Sequence, residues 1–196
     1  MMKLIPVRGN TYALEDWQLI PLYRLGENRC ILLDTGDRSQ RQAIEEALDT
    51  NGLTPAGILG THVHTDHSPN HRYFQEKYRI PVVLPAGEAG LCLTRLNLKA
   101  YFFMLPIGQI QAEEDVRDMV LTADRVIMPG EESVSLCGAS FGVLHTPGHS
   151  PDHICVRTPD NVLYLGDAVL TGSDLTRAKL PYFFSHKDAM ESMDRL

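Results

Sequence analysis

A short segment in the first half of the chain concentrates side chains that bind metal ions. Three imidazoles and one carboxylate fall within six consecutive positions, at His62, His64, Asp66 and His67. Imidazole nitrogens and carboxylate oxygens are the donors that zinc and related divalent ions prefer. In an extended loop, residues two apart point to the same side, so His62 and His64 can face one ion. His67 then points towards a second position, and one loop can serve two neighbouring metal sites.

Further donors must come from distant parts of the chain, because one short loop cannot surround an ion. His149 and Asp167 are the natural suppliers, since each follows a predicted strand and lies in a turn that contains glycine. Glycine lets the backbone approach closely at such turns. We therefore predict a two-metal hydrolytic site with six ligands: His62, His64, Asp66, His67, His149 and Asp167.

The remaining histidines have plainer interpretations. His145 and His153 lie four residues to either side of His149. We expect them to orient a metal ligand or to make hydrogen bonds in the core. His71 and His186 are expected to face the solvent or to cap a helix.

The composition is that of an ordinary globular protein. Of 196 residues, 43% are hydrophobic and 22% are charged, which suits one domain with a sizeable core rather than a disordered or fibrous chain. The net charge of −7 argues against a nucleic-acid partner, because such proteins usually present a basic face.

Three features predict a cytoplasmic protein without a membrane partner. The N-terminus resembles no secretory signal, and no apolar stretch approaches the roughly 20 residues needed to span a bilayer. The four cysteines form no C-x-x-C pair and are predicted to be reduced core thiols, as in a reducing compartment: Cys30, Cys92, Cys137 and Cys155.

The pattern of predicted strands and helices indicates where the donors lie. A hairpin is predicted around Gly26-Glu27-Asn28, followed by a helix from Ser39 in which Gln42 completes a capping box. A strand at 56–60 delivers the histidine loop, and another helix is predicted to open at Ser68-Pro69. Other predicted strands lie at 19–25, 29–33, 80–84, 133–137, 140–145, 153–157 and 162–165, and a last helix starts at about 187.

Residues 87–124 lack strand alternation and are predicted to form two helices with a break at 105–108. We expect this segment to be a helical insertion that helps to wall a substrate pocket. Tyr101, Phe102 and Phe103 can line an apolar cleft there, and packing of these rings in the core or against a partner is an equal alternative.

Four segments resemble, in their order and spacing, the motifs of the metallo-β-lactamase superfamily, in particular its glyoxalase II-like and lactonase-like branch. The family patterns are a D-T-G turn, H-x-H-x-D-H, T-P-G-H-S/T-x-x-H and G-D. The matching segments are Asp34-Thr35-Gly36, His62-Val63-His64-Thr65-Asp66-His67, Thr146-Pro147-Gly148-His149-Ser150-Pro151-Asp152-His153 and Leu165-Gly166-Asp167.

The resemblance implies a fold and a division of the ligands. The fold would be an αββα sandwich, with two mixed sheets between helical layers and the site at one sheet edge. His62, His64 and His149 would bind the first metal, Asp66 and His67 the second, and Asp167 would bridge them. Asp34, in the D-T-G turn, is expected to lie next to these ligands.

One departure from the family pattern concerns the end of the chain. The family has a final ligand histidine in a late turn, and His186, in Phe184-Ser185-His186-Lys187, does not match that turn. We therefore expect either that this part lies beyond residue 196 or that the second metal site is weak or empty. The last strand and helix of the sandwich would also be absent, which would leave apolar surface that two copies can cover as a homodimer.

The predicted function is a metal-dependent hydrolase that acts on a small molecule. A hydroxide bridging two zinc ions, with Mn²⁺ or Fe²⁺ as alternatives, would cleave an ester, thioester, lactone or phosphodiester bond. Asp66 would orient the nucleophile and carry a proton as the catalytic carboxylate. An iron-dependent oxidoreductase acting on a persulfide and a non-catalytic metal-binding scaffold are the alternatives.

Overall fold

The computed structural model describes residues 2–102, 110–170, 172 and 182–196, with the backbone alone at 110–113. The described residues form two sheets, six α-helices and one short 3-10 helix. The first sheet contains β1 (Lys3–Arg8), β2 (Thr11–Glu15), β3 (Leu19–Leu25), β4 (Arg29–Leu33), β5 (Thr54–Leu59), β6 (Val82–Pro85) and β7 (Arg125–Ile127), in that order. The second contains β8 (Ser133–Leu136), β9 (Ala139–His145), β10 (Ile154–Arg157) and β11 (Leu163–Tyr164). The helices are α1 (Arg41–Thr50), α2 (His71–Tyr78), α3 (Ala86–Cys92), α4 (Arg95–Tyr101), α5 (Ile110–Met119) and α6 (His186–Met193).

The fold class predicted from the sequence, two sheets flanked by helices, is confirmed. The prediction of two mixed sheets holds only for the first, in which β1–β4 pair antiparallel and β4–β7 pair parallel. The strand pairs described in the second sheet are all antiparallel, because short turns join β8–β9 and β10–β11.

The first sheet is buried on both faces in its centre. On β4, Cys30 and Leu32 join the apolar core beneath the helices, whereas Ile31 and Leu33 join the core between the two sheets. Alternate side chains of a strand point to opposite faces, so a strand covered on both sides must be apolar throughout. This explains why β4 carries an unbroken apolar run from Cys30 to Leu33, just before Asp34.

The starts of the first two helices differ from the prediction. A short 3-10 helix, Arg38–Gln40, precedes α1, and the capping box joins Asp37 to Gln40 rather than Ser39 to Gln42. The Asp37 carboxylate accepts a hydrogen bond from the Ser39 N–H at 2.8 Å, and a charged acceptor forms a stronger cap than a hydroxyl.

Helix α2 begins at His71 and not at Ser68-Pro69. The Ser68 hydroxyl donates to the His64 carbonyl at 3.1 Å, and the Ser68 N–H donates to the same oxygen at 3.0 Å. These bonds close a turn, so the histidine loop continues to Asn70.

Other expectations from the sequence also meet the structure. The strands β3–β6 and β8–β11 and the last helix are confirmed, with ends shifted by up to two residues. β1, β2 and β7 were not predicted. The described part of the helical segment contains three helices rather than two, and the predicted break at 105–108 lies outside the described residues. Cys30, Cys92 and Cys155 are buried as predicted, but Cys137 is exposed at the turn between β8 and β9, with a φ of 50°.

Within the described ranges, we find no helix whose length and hydropathy would let it cross a bilayer.

Candidate metal centre

The predicted donors come together at one edge of the first sheet. β4, β5 and β6 run parallel, so their carboxyl ends meet at that edge. Asp34 follows β4, the histidine loop from Gly60 to Asn70 follows β5, and α3 follows β6. The turns after β9 and β11 bring His149 and Asp167 to the same place from the second sheet. Loops at strand ends on a rigid scaffold are the usual location of chemistry.

Asp34 ties the histidine loop to the sheet. Its carboxylate accepts hydrogen bonds from the Thr61 N–H at 2.7 Å, the Thr61 hydroxyl at 2.7 Å and the Tyr164 hydroxyl at 2.9 Å. It also lies 2.9 Å from Nδ1 of His67. Asp34 has a φ of 62°, a conformation that non-glycine residues rarely adopt and that these bonds help to hold.

Three histidines form the first donor group. His62, His64 and His149 each offer a ring nitrogen within 4.8 Å of the others. Nδ1 of His64 lies 2.8 Å from Nε2 of His149, and the His62 ring centre lies 4.6 Å from that of His64 and 4.9 Å from that of His149. Three imidazoles from two loops therefore surround one point.

The second nitrogen of each of these rings already has a partner. Nδ1 of His62 is 3.0 Å from the Thr61 hydroxyl, whose own proton goes to Asp34. Nε2 of His64 is 2.7 Å from the Tyr101 hydroxyl. Nδ1 of His149 is 3.1 Å from the carbonyl oxygen of Tyr182. Hydrogen bonds of this kind fix which nitrogen of an imidazole remains free to bind a metal.

The second donor group contains two carboxylates and one imidazole. Asp66, His67 and Asp167 offer ligand atoms that lie within 4.8 Å of one another. Nε2 of His67 lies 3.8 Å from Asp66 Oδ2 and 3.3 Å from Asp167 Oδ1. The other oxygen of Asp167, Oδ2, lies 3.3 Å from Nε2 of His149. One carboxylate thus extends between the two donor groups.

Burial keeps the first group neutral. Desolvation, reinforced by repulsion from neighbouring imidazoles, lowers the pKa of His62 well below its usual range and lowers the pKa of His64 to about 2. Burial also lowers the pKa of His149 and takes the pKa of His153 to about 3. The neutral ring is the form that binds metal.

The second group behaves differently because carboxylates face the imidazole. Burial alone would lower the pKa of His67, but hydrogen bonds with Asp167 and Asp34 raise it well above the usual value. Burial alone would raise the pKa of Asp167, but the hydrogen bond and charge of His67 lower it. Positive charge is therefore favoured at this point, as at a cation site.

Two glycines let the turns approach the centre. A Cβ at Gly148 would lie 2.3 Å from backbone atoms of Ala189 in α6, and Gly148 has a φ of 137°. A Cβ at Gly166 would lie 2.6 Å from Nε2 of His153. Neither contact leaves room for a side chain, so these glycines allow the His149 and Asp167 turns to close.

The residues expected around the ligands have different locations. Nε2 of His153 accepts a hydrogen bond from the Asp167 N–H at 3.2 Å, and its ring centre lies 5.0 Å from that of His62. His145 contacts the Glu131 carbonyl at 3.1 Å and Asp152 at 3.8 Å, so its described contacts lie away from the donor groups.

Aromatic rings border the first group on one side. Tyr101 stacks on His64 with ring centres 5.7 Å apart, and the Phe102 ring lies 5.8 Å from the same imidazole. Tyr182 lies 5.5 Å from His64. Phe103, also expected in this wall, lies outside the described residues.

Two buried residues were not anticipated. His71 is fully buried, although the sequence suggested the surface; its Nδ1 lies 2.7 Å from the Thr35 hydroxyl. Glu88 is also fully buried and accepts hydrogen bonds from both ligand-bearing loops. No local pattern distinguishes Glu88 from a solvated helical glutamate. His186 is exposed, as expected.

A metal ion fits this arrangement. Nε2 of His62 is buried and has no hydrogen-bond partner, a state that costs about 1–3 kcal/mol unless another group satisfies it. The free nitrogens and the carboxylates nearby are the donor types that divalent cations of the zinc class take.

Comparison with known proteins decides the family. The family model described as the metallo-beta-lactamase superfamily matches residues 19–196. The chain belongs to the metallo-β-lactamase superfamily. Membership, together with the groups of histidines and aspartates, supports the assignment of this chain as a metal-dependent hydrolase.

Curated relatives from this superfamily are distant. The chain is 25% identical to a probable metallo-hydrolase, YqgX, of Bacillus subtilis (strain 168), over 91% of this chain and 74% of the relative. It is 28% identical to a hydroxyacylglutathione hydrolase of Klebsiella pneumoniae, over 83% of this chain and 52% of that protein. The chain thus spans about half the length of this hydroxyacylglutathione hydrolase.

Solved metallo-β-lactamase structures share the fold. The BLEG-1 B3 metallo-beta-lactamase superposes with a TM-score of 0.65 and 24% identity, covering 99% of this chain and 84% of that one. The FEZ-1 enzyme of Legionella gormanii gives a TM-score of 0.70 at 18% identity, covering 99% and 74%.

Proposed function

We propose that this protein hydrolyses an acyl ester or thioester at a binuclear zinc centre. The first ion would be held by His62, His64 and His149, and the second by Asp66 and His67, with Asp167 shared. The observation that carries the proposal is the Asp167 carboxylate, whose two oxygens each lie 3.3 Å from an imidazole of a different donor group.

Each element of the site has a part in this chemistry. Two bound cations would supply Lewis acidity and a water whose pKa is lowered towards about 7. Asp66, whose side chain is 42% exposed, lies at the open side of the centre and can orient that water and move its proton to the departing group. The buried histidine side, closed by Thr61, Asp34 and Tyr164, holds the ligands in fixed tautomers.

The acyl substrate class rests on two supports. Hydroxyacylglutathione hydrolases recur among the relatives, and their name describes cleavage of an acyl thioester. The aromatic wall of Tyr101, Phe102 and Tyr182 beside His64 suits a compact, partly apolar acyl group. A glutathione moiety is not assumed, because the chain matches only about half of such a relative.

The test begins with metal-free protein prepared with a chelator and reloaded with Zn²⁺, Mn²⁺ or Fe²⁺. Metal equivalents are counted by mass spectrometry, and turnover is measured with S-lactoylglutathione, p-nitrophenyl acetate, a simple lactone and bis(p-nitrophenyl) phosphate. We expect about two metal ions per chain and metal-dependent turnover of the thioester or the ester. Protein that binds no metal, or that cleaves only the phosphodiester, would contradict the proposal. Oxygen consumption with glutathione persulfide in the iron form would favour the oxidoreductase instead.

A further inference from the structure

Glu88 is a buried carboxylate at the start of α3 that no sequence motif singles out. Its side chain is fully buried, and it lies between the loop that carries His62 and His64 and the turn that carries His149. Carboxylates are almost never fully buried unless they are paired or hydrogen-bonded, because their desolvation is costly.

The hydrogen bonds of Glu88 join the two ligand-bearing segments. Oε2 accepts from the N–H of Val63, the residue between His62 and His64, at 3.0 Å. Oε1 accepts from the Ser150 hydroxyl at 2.6 Å and from the Asp152 N–H at 3.0 Å. Ser150 directly follows His149. The Glu88 side chain therefore contacts both segments that carry the three imidazoles of the first donor group.

A second contact fixes α3 against the same turn. The Asp152 carboxylate accepts a hydrogen bond from the Gly87 N–H at 2.7 Å. A Cβ at Gly87 would lie 2.7 Å from the Cβ of Asp152, so the backbone of α3 and the His149 turn are in close contact here. The position of Glu88 is thus set by buried contacts of α3 with the His149 turn rather than by a flexible surface contact.

Packing alone does not explain a carboxylate at this position. A leucine or methionine could fill a similar space without the desolvation cost. What the carboxylate adds is three hydrogen bonds to donors on two segments, Val63 in the histidine loop and Ser150 and Asp152 in the His149 turn. Such bonds hold the distance between the segments, and metal sites depend on ligands held in place by groups that do not touch the ion.

We propose that Glu88 is a positioning residue that holds His62 and His64 against His149 and thereby sets the metal affinity of the centre. The inference rests on the proposed metal-dependent function. Glu88 acts through the two loops and does not itself touch substrate or metal.

The decisive variant is Glu88→Gln, which keeps the shape of the side chain. The amide has one oxygen and one NH₂ group, so in either orientation the NH₂ group meets a backbone N–H, that of Val63 or that of Asp152. Either the Val63 N–H or the Asp152 N–H therefore loses its bond, whereas the Ser150 hydroxyl can turn and accept from an NH₂ group that faces it. The matched control is Glu45→Gln, because Glu45 accepts from Tyr73, Lys77 and Tyr78 and joins α1 to α2 away from both loops.

Two measurements separate positioning from simple stability. Zinc affinity is measured by competition with a chromophoric chelator on metal-free protein, and thermal unfolding is followed with and without zinc. We expect zinc affinity to fall about 10- to 100-fold in Glu88→Gln, the range seen when groups that support metal ligands are removed. The zinc-induced rise in Tm should shrink, and saturating zinc should restore most of the turnover. Glu45→Gln should keep the zinc affinity of the wild-type protein, and its only effect should be a lower Tm of the metal-free protein.

Ser150→Ala provides an independent variant that removes one of the three bonds and leaves Glu88 in place. We expect Ser150→Ala to lose less zinc affinity than Glu88→Gln. In the double variant, the fold-loss of zinc affinity should be smaller than the product of the two single fold-losses, because the two residues share one contact. If Glu88→Gln does not fold, Ser150→Ala decides. Wild-type affinity in the folded variants, or a loss no larger than in Glu45→Gln, would overturn the role of Glu88. Absence of zinc binding in the wild-type protein would instead refute the proposed function.

Discussion

Two polar clusters of this protein differ in whether their side chains satisfy one another. In the metal centre, imidazoles from distant loops converge, and Nε2 of His62 is buried without a partner. On the surface near α1 and α5, Arg38 and Arg41 each donate to Asp118 at 3.0 Å, and Arg38 also donates to Glu114 at 2.8 Å. Opposite charges satisfy one another there, and the side chains are 19–41% exposed.

The difference shows how a binding site can be recognised without its ligand. The arginine cluster is complete by itself and contributes modestly to stability, because exposed ion pairs are screened by water. The first donor group is incomplete by itself: burial keeps the imidazoles of His62, His64 and His149 neutral, and the second nitrogen of each ring already has a partner. A bound cation would complete the histidine group, whereas the arginine cluster offers no site for a cation.

The largest effect is expected for His64→Ala. This change removes one nitrogen from the first donor group and should abolish metal-dependent hydrolysis. It should also remove the stabilisation by bound metal, which reaches about 2.7 kcal/mol when free metal exceeds its Kd 100-fold. Activity and Tm with and without zinc are the measurements. His186→Ala, at an exposed position, is the control, and unchanged activity in His64→Ala would refute the assignment of this group.

Asp167→Asn should separate the two donor groups. The amide has only one oxygen and no charge, so it cannot place an anionic oxygen beside both His67 and His149. We therefore expect metal content to fall from two equivalents towards one. Hydrolysis should fall by more than about 100-fold, beyond the usual cost of losing a group that only supports a ligand. Mass spectrometry and steady-state kinetics test this. Two tightly held ions in the variant would show that Asp167 is not shared.

Tyr101→Phe should have a smaller effect. It keeps the ring stacked on His64 but removes the hydroxyl 2.7 Å from Nε2. We expect metal affinity to fall by about tenfold, at the lower end of the range for such partners. In cobalt-substituted protein, the exchangeable N–H resonance of His64 should shift or disappear. Tyr73→Phe is the matched control, and a normal resonance in Tyr101→Phe would contradict the role of the hydroxyl.

Asp118→Asn tests the comparison from the other side and should have the smallest effect. Loss of its pairs with Arg38 and Arg41 should cost about 1 kcal/mol or less for each pair, measured by urea unfolding. Metal affinity and hydrolysis should stay at wild-type values. A large loss of metal binding would mean that the two clusters are coupled rather than independent.

The site could be predicted from the sequence where its information is local. The spacing from His62 to His67 places alternate side chains on one side of a loop, and that pattern requires no knowledge of the rest of the chain. His149 and Asp167 could be added because strand–turn patterns and motif order point to one sheet edge. The structure brings these residues together within the distances expected of donors.

The supporting residues could not be predicted in the same way. Glu88 lies in a seven-residue helix, which is too short for periodicity to show which face is buried. His71 begins α2 but is covered by the Asp34–Thr35 turn, a contact set by tertiary packing. β1 was missed because it is a largely exposed edge strand with Pro6 and an irregular register, so alternation is weak.

In the proposed centre, donors from three separated segments converge on a pair of cations. The most direct test is anomalous diffraction at the zinc edge from crystals of the zinc-loaded protein. We predict one peak among His62, His64 and His149 and a second among Asp66, His67 and Asp167. Zinc bound elsewhere, or no peak between these side chains, would contradict the account.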